Sequence, residues 1–139
     1  MKTYQVLGYA GLIPFIVCLL LVQYSPHDFL IAPLQAFIFY SAIIFSFIAG
    51  SLWRSNSSIH HKHTQIISNI LCLYAFVCLF LSTFYALLFL SFGYFILFIA
   101  EYLITKSKPN TETSSYLKMR LILTILVNLL HSIAIFLTL

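Results

Sequence analysis

From Ile66 to Ile104 the chain runs through 39 residues with a single formal charge, Glu101. As one straight helix this run would be about 58 Å long, close to twice the hydrocarbon thickness of a bilayer. It is therefore expected to cross a membrane twice. The least apolar point near its middle is Leu81-Ser82-Thr83, where a tight hairpin is expected.

Composition agrees with that reading. Of 139 residues, 62% are hydrophobic and 7% charged, whereas soluble domains carry about 25% charged residues. Three acids and seven basic residues cannot coat a globule of this size. The basic residues are also too scattered to track nucleic-acid phosphates, and they fit juxtamembrane anchors. Cys18, Cys72 and Cys78 lie inside apolar runs without C-x-x-C spacing, as small buried hydrophobes do.

Two further apolar runs precede the long one, Tyr4–Tyr24 and Phe29–Trp53, separated by the turn residues Ser25-Pro26-His27-Asp28. The first is long enough to span and lacks a small-x-small cleavage site, so it reads as an uncleaved helix, kinked by Pro14. After the hydrophilic stretch Thr105–Ser115, a last run extends from Tyr116 to Leu139. The expected spans are 4–24, 29–53, 66–81, 83–104 and 116–139. Backbone groups in lipid must be satisfied within the segment, so each span is a helix.

Five crossings with the N-terminus inside put Lys2, Arg54, Lys62, Lys106, Lys108, Lys118 and Arg120, all seven basic residues, on one side. That satisfies the positive-inside rule, and four or six crossings would destroy the pattern. The expected fold is an all-α integral membrane protein, a single domain formed as a bundle of five transmembrane helices, N-in/C-out. The sequon Asn56-Ser57-Ser58 then lies inside, where it is silent.

Lipid tails are as apolar as leucine, so small and polar residues sort the helix faces. Ala42, Ser46 and Gly50 form a small-xxx-small row on the second span, Gly8 and Gly11 a narrow face on the first, and Ala86, Gly93 and Ala100 a heptad row on the fourth. On the fifth, Arg120, Thr124, Asn128 and His131 recur at i, i+4, i+8 and i+11, a single polar stripe. Glu101 and Ser91, Asn69, Gln35, Tyr40 and Ser46 are available to meet it from other spans. Together Glu101, Arg120, Thr124, Asn128 and His131 form a candidate intramembrane polar site. They are either interhelical glue, each bond contributing about 0.6–2 kcal/mol, or a lined pathway or pocket.

Other features carry less. His60, His61 and His63 have no nearby cysteine or carboxylate to complete a metal site, so they read as a solvated loop. His27 beside Asp28 reads as turn chemistry. Only His131 lies well within a span, which is too few for a b-type haem. There is no Gly-rich phosphate loop, H-E-x-x-H, G-x-S-x-G or paired carboxylate, and no nucleophile–base pair can be assembled from the sequence.

Three segments resemble a known family: Leu7-Gly8-Tyr9-Ala10-Gly11-Leu12-Ile13-Pro14-Phe15, the second span from Phe39 to Trp53, and Tyr116-Leu117-Lys118-Met119-Arg120-Leu121-Ile122-Leu123-Thr124. They are similar to the G-x-x-G-L-I-P-F, Y-x-x-x-I-x-S-F-x-x-G-x-x-W and Y-L-x-x-R-x-x-L-T motifs of the small membrane proteins grouped with transmembrane protein 69, domain of unknown function family 3429. Leu52 stands where many relatives have histidine, and Glu101 where aspartate is commoner. The resemblance implies a bacterial inner-membrane protein with mitochondrial relatives in animals, and it supplies no activity. A start without a transit-like extension favours the bacterial plasma membrane, with a periplasmic C-terminus.

The expectation is therefore a non-enzymatic protein without cofactor or metal, in contact with the lipid bilayer and not with nucleic acid. It would act as an accessory, assembly or interaction subunit in a homo-oligomer or a larger membrane complex. The alternative is a small transporter or channel for a proton, ion or small solute along the fifth-helix stripe. A lipid or quinone pocket, suggested by the 17% aromatic content, ranks third.

Overall fold

The computed structural model describes residues 2–24, 31–52, 61–106 and 111–139. Six helices follow one another: α1 Thr3–Ala10, α2 Ile13–Tyr24, α3 Ile31–Ser51, α4 His61–Cys78, α5 Thr83–Thr105 and α6 Thr111–Thr138. Among the described residues there is no strand. Four segments are long and apolar enough to cross a bilayer: Thr3–Tyr24, Ala32–Ser51, Thr83–Thr105 and Thr113–Thr138.

The first of these is broken between α1 and α2. Pro14 has no N–H to return to Ala10, and the chain tightens one turn earlier, with Leu12 N bonding Tyr9 O at 3.0 Å. The Tyr40 hydroxyl of α3 donates to the Gly11 carbonyl at 2.9 Å. A neighbouring helix thereby supplies a partner to a backbone carbonyl beside the break.

Two helices begin earlier than the apolar runs. α4 starts at His61 rather than Ile66, and α6 at Thr111 rather than Tyr116, so part of the expected hydrophilic loop 105–115 is helical. Hydropathy marks the stretch that lipid can cover, whereas a helix continues through polar residues until something breaks it. His61–Gln65 and Thr111–Ser115 contain neither Pro nor Gly. The polar start of α4 also leaves it outside the four segments named above. The reversal between α4 and α5 is short. Leu79, Phe80 and Leu81 close i→i−3 bonds on Phe76, Val77 and Cys78, and Ser82 precedes α5 with extended backbone.

Hydrogen bonds fix the pairing directions. Ser68 Oγ donates to Ala49 O at 2.7 Å, and Cys72 Sγ approaches Ser46 O at 3.7 Å. As numbering rises on α4 it falls on α3, so the two are antiparallel. α5 and α6 pair the same way, Glu101 meeting Arg120 and Ser91 meeting Asn128. α3 packs against α2, α4 and α5, with Phe37, Phe45, Ala49 and Leu52 in the core.

The small-residue rows fare differently. Gly93 is the tightest crossing: a Cβ there would lie 2.7 Å from Tyr74 Cε1 and 3.0 Å from Phe45 Cε2. Gly8 faces α6, where a Cβ would lie 3.1 Å from Leu123 Cδ1. The row Ala42, Ser46, Gly50 does not form the expected seam. Ala42 is buried and Ser46 half-buried, but Gly50 is exposed with open space beside it. Each four-residue step advances about 40° past a full turn, so two steps carry the row about 80° round the helix and out of the contact. A seven-residue step drifts only about 20°; on α5 Ala86 and Gly93 stay buried and Ala100 is half-buried.

Candidate functional site

The α6 stripe forms a buried polar column. Arg120, Thr124, Asn128 and His131 are all buried, and His131 is 0% exposed. The helix brings them to one face, and α3 and α5 supply partners for Arg120, Asn128 and His131.

At the end nearer Thr111, Arg120 Nε donates to Glu101 Oε2 at 2.9 Å, and the Tyr116 hydroxyl donates to Glu101 Oε1 at 2.7 Å. Glu101 is itself buried on α5. One turn on, Thr124 Oγ1 returns to the Arg120 carbonyl at 2.8 Å. Asn128 Nδ2 donates to Thr124 O at 2.9 Å, and its Oδ1 accepts from Ser91 Oγ of α5 at 2.5 Å.

At the far end His131 lies between Ser41 Oγ, 2.8 Å from Nε2, and Val127 O, 2.8 Å from Nδ1. A carbonyl only accepts, so Nδ1 carries the proton; in the neutral ring Nε2 then accepts from the Ser41 hydroxyl. The Ser41 carbonyl in turn accepts from Tyr94 OH at 2.7 Å. The rings of Phe15, Phe37 and Tyr94 pack around the imidazole, with centroids 5.9, 5.0 and 5.5 Å away.

Ser41 and His131 therefore make the nucleophile–base contact that the sequence did not reveal, with Val127 O orienting the base. Both side chains are wholly buried. A substrate carbonyl has no approach to Ser41 Oγ in this packing. Among the described residues no fully buried side-chain nitrogen or oxygen lacks a hydrogen-bond partner. Its Thr124, Asn128 and His131 part is closed on itself.

Of the residues expected to meet the stripe, Glu101 and Ser91 do. Gln35 and Asn69 are exposed, Tyr40 turns to Gly11, and Ser46 meets Cys72 through its carbonyl. Ser41, Tyr94 and Tyr116 take the places that sequence reasoning gave to others. Two of these had a readable signal: Tyr116 stands one turn before Arg120, and Tyr94 one heptad before Glu101. Ser41 had none, since nothing in the apolar run of α3 sets it apart from Ser46. Gly11 accepts from Tyr40, and Gly8 packs on α6 as described above.

His63 is exposed; His60, the side chain of His61, His27, Asp28 and the sequon lie outside the described residues. No three His, Cys, Asp or Glu side chains among the described residues are placed to hold a metal ion. A shallow apolar groove between α3 and α4, lined by Phe39, Ala42, Ile43, Ser46, Cys72, Phe76 and Leu79, does not include a residue of the column.

Several helices apolar enough to span a bilayer, packed around a buried polar column, define a small helical membrane protein. The chain belongs to the family described as protein of unknown function (DUF3429), which matches residues 1–136. Neither the curated proteins nor the solved structures include a match.

Proposed function

We propose that this protein is a non-catalytic membrane subunit, an accessory, assembly or interaction component acting through its lateral surface in a homo-oligomer or a larger complex. The observation that carries the reading is the closure of the polar column. Arg120, Asn128 and His131 bond Glu101, Ser91 and Ser41 on other helices and so act as interhelical glue, while Thr124 bonds the α6 backbone. Its chemistry is inward, and what it offers outward is apolar surface such as Phe47, Phe80 and Phe136.

In this proposal the chain crosses a bacterial plasma membrane five times, with the N-terminus cytoplasmic. α4 supplies the additional crossing because it is the antiparallel partner of α3 and turns directly into α5. The gathering of all seven basic residues on one side supports the orientation. The alternative, transport along the stripe, draws on the ionisable Glu101, Arg120 and His131 inside the bundle. It requires water where the column has side chains in contact.

Purification from native membranes in mild detergent tests the proposal. A stoichiometric partner or a homo-oligomer is the expected result. A lone monomer, together with proton or ion flux in liposomes, would overturn it.

A further inference from the structure

The ion pair between α5 and α6 is one-armed. An isolated arginine–carboxylate pair favours two parallel N–H···O bonds. Here Glu101 Oε2 takes Arg120 Nε, while Oε1 accepts from the Tyr116 hydroxyl rather than from a second guanidinium nitrogen. Neither Nη atom of Arg120 hydrogen-bonds a described residue. No fully buried side-chain nitrogen among the described residues is left without a partner, so both Nη groups reach the protein surface, within the 9% of the side chain left exposed.

The position of that opening rests on the proposed topology, in which the basic residues mark the side of the bundle that meets the headgroups. Arg120 stands two residues after Lys118 on α6 and opens toward that boundary. The same boundary carries exposed Lys118 on α6 and exposed Lys106 at the end of α5. The guanidinium donors that do not reach Glu101 need acceptors of their own.

We propose that the Nη edge of Arg120 binds a phosphate group, with Tyr116 as the positioning residue that keeps this edge turned away from Glu101. The phosphate is that of an anionic phospholipid headgroup or of a free phosphate ion; both offer the paired oxygens that a guanidinium fork matches. Lys118 on α6 and Lys106 just past the end of α5 make this end of the α5–α6 pair basic.

The test is the thermal unfolding midpoint of the full chain in detergent micelles. Micelles are doped with phosphatidic acid or with diacylglycerol of the same chains, and a lipid-free arm compares inorganic phosphate with chloride at equal ionic strength. Phosphatidic acid is expected to raise the midpoint by several degrees and diacylglycerol to leave it unchanged, since a ligand of the folded state stabilises by mass action. Protection by inorganic phosphate as well would assign the site to soluble phosphate; protection by the lipid alone would assign it to a headgroup. Arg120→Lys, which removes the fork, should lose most of the shift. So should Tyr116→Phe, which removes the hydroxyl that competes with an Nη for Oε1 and so favours a two-armed pair while Arg120 and Glu101 stay in place. If Arg120→Lys fails to fold, Tyr116→Phe decides. The proposal falls if no phosphate protects the wild type, or if the shift persists undiminished in Tyr116→Phe.

Discussion

Ser41 and His131, 90 residues apart in the chain, meet at 2.8 Å between Oγ and Nε2 and tie α3 to α6. Both are buried completely, and the imidazole is walled by three aromatic rings. The contact has the form of a catalytic dyad and the surroundings of a structural clamp.

The surroundings lead to a chemical prediction. A fluorophosphonate probe, which acylating serines attack, should leave Ser41 unlabelled in the native protein in membranes. Labelling that disappears in Ser41→Ala would show that the pair is reachable and that the protein is a hydrolase.

The clamp should also be worth measurable stability. Interhelical hydrogen bonds in membranes contribute about 0.6–2 kcal/mol, and Ser41→Ala should fall in that range. His131→Ala also leaves a cavity among Phe15, Phe37 and Tyr94, and should cost about 2–4 kcal/mol. Unfolding in detergent titrated with denaturant gives both values; equal effects for the two would argue against the packed imidazole.

Glu101 and Arg120 make a second pair with a distinctive signature. Removing one member strands a buried charge, so Glu101→Gln or Arg120→Gln alone should cost about 3–5 kcal/mol. The double substitution should cost less than the sum of the two, because neither charge is left unpaired. Additive losses in this cycle would mean that the two side chains act independently.

Two glycines should respond in opposite ways. At Gly93 a Cβ would come within 2.7 Å of Tyr74 and 3.0 Å of Phe45, so Gly93→Ala should destabilise by about 1–3 kcal/mol. Gly50 has open space beside it, and Gly50→Ala should be neutral or slightly stabilising through the better helix propensity of alanine. Thermal unfolding of the two variants side by side checks the claim. The reverse order would restore the Ala42–Ser46–Gly50 row as the packing face.

What could be read from the sequence follows from which physical constraint each feature obeys. Helical geometry alone brings Arg120, Thr124, Asn128 and His131 to one face, and all four are buried. The need for any buried charge to find a partner pointed from Arg120 to Glu101. Which side of α3 turns inward was not legible, because in a run of Ile, Phe and Ala every face is equally apolar. Hence Ser41, not Ser46, carries the hydroxyl of the column, and Gln35 and Asn69 stay outside it. The helix starts at His61 and Thr111 were missed for a related reason: hydropathy measures what lipid covers, not where backbone hydrogen bonding begins.

The central claim is that the α6 column is packed dry, and cysteine accessibility measures it most directly. Cysteines placed one at a time at Thr124 and Asn128, on a background with Cys18, Cys72 and Cys78 replaced, are treated in membranes with a small, charged, water-soluble thiol reagent. Exposed Ser115 provides the positive control. The packed column predicts reaction at Ser115→Cys and none at Thr124→Cys or Asn128→Cys. Rapid modification at the two column positions in a folded protein would reveal water along the stripe and contradict the account.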